Sequence, residues 1–333
     1  MDPQIEFVYS EEPREDQWRI LLQFSYQKNV EDRLKRDGFS TDGKIVDIII
    51  GSVQQAHEYF KMGSSASLFT SPTLIYYGVS HLLYAASTLL AGETPKVGNH
   101  GLRPVNTSIQ SSLADSSVRP CNWGSGSFPL MAQVFSKISP TLTQAGEWSL
   151  HDFLGSLPDL EDDYTRTYPD RCPHILPVEL VSADSGIIER IPTSKLKAWS
   201  QGFDWRKIVG ATSSYVQPQQ TDNYIVFRRK LGYKDNGEYS LSGRKFLSLY
   251  HAKGTHEHHL HQISLFQGAL FILGHLARYS PQSWYPFVQN DSTGERHLVE
   301  KFVAVATRRF PNLILNELQR KKIFFTSHIP GRG

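Results

Sequence analysis

Cysteine is scarce in this chain, because Cys121 and Cys172 are the only two among 333 residues. That scarcity excludes the disulfide frameworks on which small secreted domains depend. The first residues also lack the basic and apolar regions of a secretory signal. Together the two absences predict a cytoplasmic protein.

Familiar catalytic and cofactor motifs are missing as well. The sequence contains no Walker loop, no glycine-rich dinucleotide fingerprint, no zinc knuckle and no Ser or Cys nucleophile motif. We therefore expect no cofactor and no metal ion. No motif indicates a reaction, so function has to be inferred from other patterns of residues in the sequence.

Apolar residues, in contrast, are plentiful. They make up 39% of the chain, against 20% for charged residues, which suffices for a sizeable core and excludes global disorder. The length fits one large domain or two ordinary ones.

Two nearly unbroken apolar segments, 72–90 and 263–279, are predicted to be helices buried on every face. Because they lie far apart in sequence, we expect them to pack together in one helical core built from both ends of the chain. Segment 72–90 is about long enough to span a bilayer. However, it contains Ser80 and His81 and has no flanking Lys or Arg anchor, so we expect a core helix and no membrane association.

The pattern along the chain predicts a mainly α fold with a β-containing insertion, an α+β architecture. Residues 1–110 form an N-terminal helical block, 111–250 a mixed α/β insertion, and 251–333 a C-terminal helical block that completes the core. Within the insertion, 174–181 and 223–228 alternate in the manner of strands.

Helical periodicity also predicts the limits of several helices. One runs from Gln17 to about Leu34. Another covers 296–310 and ends at Pro311, after which a short helix continues to Leu318.

Charge is distributed unevenly. Residues 201–333 contain 18 Lys and Arg against 9 Asp and Glu, whereas residues 1–200 contain 17 against 24. The C-terminal excess predicts either an anionic partner or internal neutralisation by the acidic part of the chain, chiefly 161–163.

Several separated motifs resemble the bacterial YaaC-like family, over roughly residues 50 to 320 and in the family's order. The helical core is also similar to the HEPN superfamily, several of whose members are ribonucleases of toxin and phage-defence systems. The resemblance implies a HEPN-like helical core and a component of a prokaryotic defence or stress system. The motifs are Tyr76-Tyr77-Gly78, His100-Gly101-Leu102, Leu157-Pro158-Asp159-Leu160, Ala277-Arg278-Tyr279-Ser280-Pro281 with Trp284, and Arg309-Phe310-Pro311-Asn312 with the apolar residues that follow.

HEPN ribonucleases carry an Arg and a His on one helix with four to six residues between them. The Arg neutralises the scissile phosphate and the His handles the proton of the attacking hydroxyl. Arg244 and His251 have this spacing and are the candidate catalytic pair, although their segment lies outside the two helical blocks. The alternative is that they are structural residues.

A histidine-rich stretch follows. His258 and His261 would share one helix face, as metal ligation requires, but no carboxylate or thiolate occupies an obvious completing position. We expect a solvated polar helix N-terminus near Thr255 and no metal. The whole group is His251, His256, His258, His259 and His261.

Arg278 is predicted to be mostly buried, because it ends an apolar helix, and to pair with a carboxylate or several backbone carbonyls. That pairing could be a structural tie between the helical blocks. The alternative is an anion-binding pocket formed with Tyr77 and His100. His81 and His275 are expected to be ordinary core residues.

Basic doublets suggest contacts with RNA or DNA through the C-terminal part of the chain. Two functional hypotheses follow. One is a nucleic-acid-linked protein of a defence or stress system, with ribonuclease activity as a variant of it. The other is a non-catalytic interaction module that docks a partner enzyme or forms a homodimer. The candidate phosphate-binding residues are Arg228, Arg229, Arg308 and Arg309.

Overall fold

The structure is a computed structural model that describes residues 5–107, 109, 112–122, 124–136, 146–183, 186–199, 202–230, 237–253 and 256–326. The chain divides into two compact units. We call residues 154–259 the sheet unit, and residues 5–153 with 260–326 the helical unit. The predicted boundaries of the insertion are 110/111 and 250/251, whereas the sheet unit begins at Leu154 and ends at His259.

The architecture is mixed α+β, with long helices in one unit and antiparallel strands in the other. The α-helices are α1 (Pro13–Leu21), α2 (Gln27–Arg36), α3 (Gly43–Ser65), α4 (Ser71–Ala91), α5 (Ser127–Ser136), α6 (Leu150–Leu154), α7 (Glu161–Thr167), α8 (Ala211–Ser214), α9 (Gln262–Tyr279), α10 (Pro281–Asn290) and α11 (Glu295–Gln319).

The strands are mostly short. They are β1 (Ile5–Tyr9), β2 (Leu102–Asn106), β3 (Ser117–Pro120), β4 (Trp148–Ser149), β5 (Ile175–Ala183), β6 (Gly186–Pro192), β7 (Gln219–Gln220), β8 (Tyr224–Arg228), β9 (Glu238–Tyr239), β10 (Lys245–Ser248), β11 (His251–Lys253), β12 (His256–His258) and β13 (Lys322–Thr326).

The core of the helical unit is formed by α3, α4, α9 and α11. The predicted packing of the two apolar segments is confirmed, since α4 lies against α9. The hydroxyl of Thr73 donates to the Gly274 carbonyl, and the rings of Tyr76 and Phe271 meet with centroids 5.7 Å apart. Residues from both ends of the chain therefore build one core.

Helix α4 is the one described helix that is long and apolar enough to cross a membrane, and 61% of its most apolar window is buried within the protein. Pro72 lies in its first turn, where a missing N–H costs nothing. Gly92 ends the helix with a φ of 70°, a conformation that glycine adopts without strain. The burial of α4 favours a core helix.

Two small sheets complete the helical unit. Strand β1 pairs in parallel with β13, so that Phe7 lies beside Phe324. Strands β2, β3 and β4 form the other sheet in that order. The first sheet joins the two ends of the described chain.

The sheet unit contains a six-stranded antiparallel sheet in the order β7-β8-β6-β5-β10-β9. Its strands β5 and β8 match the predicted strands at 174–181 and 223–228. Their alternating apolar side chains pack with the loops after β6 into a hydrophobic core that includes Leu176, Ile191, Ile225, Phe227 and Leu247.

Three sequence predictions about local structure are wrong. The helix expected from Gln17 to Leu34 is two helices separated by a 3₁₀ turn at Leu22–Ser25. Pro311 does not end its helix, because α11 continues through it to Gln319 with buried residues on both sides. The helix expected near Thr255 begins only at Gln262.

Candidate functional site

The last turn of α9 and the second turn of α4 bring polar and aromatic side chains together in the helical unit. Tyr77 and Tyr76 come from α4, and Arg278 from the C-terminal end of α9, where a cation is favoured by the helix dipole. His100 precedes β2. The structure therefore brings together the three residues of the predicted pocket, Tyr77, His100 and Arg278.

Arg278 is half-buried. Its Nε donates to the Gly274 carbonyl at 2.9 Å, and one terminal nitrogen donates to the Tyr77 hydroxyl at 2.7 Å. No carboxylate of the described residues lies within ion-pair distance of it. The expected carboxylate partner is thus replaced by a hydroxyl and one carbonyl, both neutral acceptors.

Aromatic rings surround the same guanidinium. Its central carbon lies 5.4 Å from the ring centroid of Tyr77, 5.0 Å from that of Tyr279 and 6.0 Å from that of Tyr76. These distances are those of cation–π contacts. The positive charge is held in place without being neutralised.

His100 is fixed by Tyr76, whose hydroxyl oxygen lies 2.8 Å from His100 Nδ1. Tyr76 is fully buried, and burial raises the pKa of its hydroxyl far above the ordinary value. Tyr76 therefore keeps its proton at any physiological pH. When that proton is donated to Nδ1, the ring hydrogen of His100 lies on Nε2.

Three imidazoles on the elements that form this cluster have lowered pKa values. Burial lowers the pKa of His100 and of His275, and the nearby Arg278 charge lowers both pKa values further. Burial alone lowers the pKa of His81. Near neutral pH, Arg278 is therefore the principal positive charge of this cluster.

Two aromatic residues beside the cluster, Tyr59 and Tyr279, were not predicted as site residues. His81 stacks on Tyr59 with centroids 5.6 Å apart, and His275 lies 4.9 Å from Tyr279. Both histidines are half-buried, not core residues. The spacing of four residues between His275 and Tyr279, with Arg278 beside them, was the available signal.

The first basic doublet lies in the sheet unit. Arg228 is exposed at the end of β8. Arg229 is instead turned inward, where its guanidinium pairs with the fully buried Glu189. Only the first of the two can reach a phosphate in solution.

The second doublet lies on α11 and divides in the same way. Arg308 is exposed, but Arg309 is buried and donates to the side chains of Gln262 and Asn312. Two of the four predicted phosphate-binding residues, Arg229 and Arg309, therefore serve as internal hydrogen-bond donors.

The ribonuclease motif requires its Arg and His to lie on one helix. Arg244 lies instead immediately before strand β10. Its guanidinium pairs with Asp162 at 2.9 Å and approaches Glu161 at 3.7 Å. The pKa of Asp162 is lowered, first by a hydrogen bond from Glu161 and then by Arg244. The Arg244 charge is already matched by carboxylates.

His251, the other member of the candidate pair, is the first residue of strand β11 and is 2% exposed. Its Nε2 lies 2.9 Å from the Ser156 hydroxyl, and its ring stacks on His174 with centroids 3.8 Å apart. A buried imidazole on a strand cannot serve as the base of a helical Arg–His motif.

His251, His256 and His258 lie on strands, whereas His261 is at the N-terminus of α9. Strands β11 and β12 pair in antiparallel fashion, with His251 opposite His258. His259 lies 3.8 Å from Glu238. His261 caps α9, since its ring nitrogen accepts a hydrogen bond from the Ile263 N–H.

Comparison with known proteins gives one result. No curated protein matches the chain significantly. No solved structure matches it either. The family model described as YaaC-like Protein does match, over residues 8–318. Because that match covers nearly the whole sequence, the chain belongs to the YaaC-like family.

Proposed function

We propose that this protein binds single-stranded nucleic acid through the cluster around Arg278. The observation that carries the proposal is the half-buried Arg278, whose guanidinium is held by two neutral acceptors and framed by Tyr77 and Tyr279. An arginine has five N–H donors, and among the described residues only two of them have partners here. The remaining donors match the oxygens of a phosphate.

The aromatic side chains supply the second part of the recognition. Tyr279 is 62% exposed, and an exposed tyrosine beside an arginine is a surface on which a base can stack. His100 adds an Nε2–H donor when Nδ1 accepts from Tyr76. One strong positive charge with aromatic neighbours suits an unpaired strand better than a duplex, whose bases are already stacked.

Binding without cleavage is the form of this hypothesis that we propose. The candidate pair Arg244 and His251 is engaged elsewhere, so the geometry gives no support to the ribonuclease alternative. The relation to the HEPN superfamily stays a prediction. A cytoplasmic role in a defence or stress system is part of the proposal, and it rests on the resemblance of the motifs.

The test is a titration of fluorescein-labelled 12-nucleotide oligouridine and oligothymidine with the full chain at 50 and 200 mM salt. Arg278→Ala should weaken binding at least about tenfold, because it removes the charge and the fork that hold the phosphate. Tyr279→Ala should weaken it by about fivefold or more, whereas Tyr279→Phe should retain it, because stacking needs only the ring.

Two further variants serve as comparisons. Arg166→Ala removes an exposed arginine of the sheet unit and should leave the affinity unchanged. Arg308→Ala tests the rival surface on α11 without disturbing the buried Arg309. An affinity that falls with Arg308→Ala but not with Arg278→Ala would contradict the proposed site. Absence of binding at 50 mM salt would remove the nucleic-acid hypothesis altogether.

A further inference from the structure

Strand β1 presents an open, apolar edge on the helical unit. Among the described strands it pairs with β13 alone, so its other edge offers unpaired backbone groups. Ile5, Phe7 and Tyr9 alternate along one face and are 49%, 56% and 56% exposed. The strand's single charged residue, Glu6, is paired with Lys321. The strand therefore has no proline and no unpaired charge, the features that usually protect an edge strand from pairing with another chain.

The same strand leads directly into an acidic groove of about 850 Å³. We call it the α1 groove, because four residues of α1 line it. Its walls include the aromatic residues Tyr9, Trp18 and Tyr26. The carboxylates along it are Glu11, Glu12, Glu15 and Asp16.

Part of this acidic charge has a local explanation, since carboxylates stabilise the N-terminus of a helix. The charge is nevertheless in excess. Arg19 is the single Lys or Arg among the groove's lining residues, and it pairs with Asp16. Three carboxylates remain without a cationic partner in the described part of the chain.

A second observation points to a ligand. Ser10 lines the α1 groove, and its side chain is 3% exposed. Its hydroxyl finds no hydrogen-bond partner within the described ranges. A buried hydroxyl of this kind normally has one, so a polar group from outside the chain would complete it.

We propose that β1 and the α1 groove together bind an extended, basic segment of a partner protein. The segment adds a strand to the open edge of β1, so its backbone pairs there and its alternate apolar side chains cover Ile5 and Phe7. The residues that follow carry Lys or Arg into the α1 groove and meet Glu11 and Glu15. Edge pairing supplies affinity, and the carboxylates select for positive charge.

A second copy of this chain fits the surface less well. Antiparallel pairing of β1 with itself would add a strand whose single charged residue is Glu6, so it would bring no positive charge to the carboxylates. Nucleic acid is repelled by the same charge, which makes this surface independent of the Arg278 cluster.

The probe is a fluorescein-labelled peptide of alternating valine and serine followed by four lysines, titrated into the full chain at 50 and 200 mM salt. Two matched peptides replace the lysines by glutamates or the serines by prolines, which cannot donate to a strand. We expect saturable binding of the lysine peptide, weaker at the higher salt. The glutamate and proline peptides should bind at least about fivefold more weakly.

Glu11→Gln with Glu15→Gln should weaken the lysine peptide about fivefold or more at low salt, which corresponds to two exposed ion pairs. The matched control is Asp47→Asn with Glu93→Gln, two exposed carboxylates outside the groove, which should leave binding unchanged. Phe7→Ser should weaken the binding of every peptide, because it removes an apolar side chain of β1. If Phe7→Ser does not fold, as judged by circular dichroism, the glutamate pair decides alone.

Equal affinity for the lysine and glutamate peptides would overturn the proposal, as would no binding of the lysine peptide. Light scattering gives the remaining outcome. A dimer that Phe7→Ser dissociates, in a protein that does not bind the peptide, assigns β1 to self-association and overturns the proposal too.

Discussion

Two glycines within helices have contrasting surroundings. Replacing each by alanine adds one methyl group and so tests how closely its neighbours pack. A Cβ added at Gly268 of α9 would lie 2.3 Å from the Phe153 ring, whereas one added at Gly51 of α3 would meet nothing within 4 Å. Gly268→Ala should therefore destabilise the protein by about 1 to 3 kcal/mol through overpacking.

Gly51→Ala is the matched control and should instead stabilise by roughly 0.5 to 1 kcal/mol, the ordinary gain of alanine over glycine inside a helix. Urea unfolding of both variants measures the difference. Equal effects of the two substitutions would show that Phe153 does not press on α9.

A buried carboxylate organises the sheet unit. Glu189 is fully buried, accepts from Lys245 Nζ at 2.7 Å and from the Tyr215 hydroxyl at 2.8 Å, and also pairs with Arg229. Glu189→Gln should destabilise by about 3 to 5 kcal/mol, because it removes the buried anion that Lys245 and Arg229 share.

The comparison for that change is Glu179→Gln. Glu179 forms an exposed pair with Arg190 in the same sheet, and such pairs contribute only about 0 to 1 kcal/mol. Thermal or urea unfolding of the two variants should separate them clearly. A Glu189→Gln protein as stable as the Glu179→Gln protein would contradict the assigned network.

At the scale of elements, α4 is the helix on which the helical unit depends. Leu83 in its middle is fully buried. Leu83→Asp should cost more than about 3 kcal/mol, since it places an unpaired charge in the core. Met62→Asp on α3 is the control, because Met62 is 48% exposed. Unchanged melting of Leu83→Asp would place α4 outside the core.

Elements with strong, continuous apolar patterns could be predicted from sequence, and α4, α9, β5 and β8 are examples. Where local signals compete with packing, prediction fails. Pro311 lacks the N–H that a helix uses, but its buried neighbours keep α11 continuous. The polar stretch before α9 has no apolar periodicity, so its pairing as a hairpin, which depends on hydrogen bonds across strands, could not be foreseen.

The candidate site was also predicted only in part. Tyr77, His100 and Arg278 were identified through the family motifs, and the structure places them together. Tyr59 and Tyr279 were missed, because aromatic residues at helical spacing usually belong to a core and their exposure depends on which neighbours cover them. Arg309 was predicted to be a surface residue, because the sequence does not reveal that the side chains of Gln262 and Asn312 accept hydrogen bonds from its guanidinium.

At the scale of the whole molecule, the excess of positive charge in the C-terminal part is partly satisfied within the sheet unit. Lys245 and Arg229 pair with Glu189, and Arg244 pairs with Asp162. In these pairs the basic residue comes from 201–333 and the acidic one from 1–200. Internal neutralisation therefore accounts for part of the asymmetry.

Stability should depend on pH because His81, His100 and His275 have lowered pKa values in the folded state. Their pKa in the unfolded chain is about 6.5, so the unfolded state binds more protons as the pH falls below that value. The stabilising effect of the neutral rings is complete above about pH 7. It is lost as the pH falls through the lowered pKa values.

The check is the free energy of unfolding between pH 8 and pH 5, measured for the native protein and for His81→Gln with His275→Gln. The variant should lose less stability on acidification than the native protein. An identical slope would mean that these imidazoles titrate alike in the folded and unfolded states.

The pairing of β1 with β13 has a consequence for biosynthesis. Glu6 and Lys321, which pair across this sheet, are 315 positions apart. Similarly, α9 is synthesised long after its partner α4, because the whole sheet unit lies between them in the sequence. At about 5 to 20 residues per second, the ribosome needs roughly 10 to 30 s to travel from the end of α4 to the start of α9. During that interval α4, a long apolar helix, is outside the ribosome without its partner. A chaperone that holds nascent chains should therefore be found on ribosomes that have passed α4 and should leave once α11 and β13 emerge.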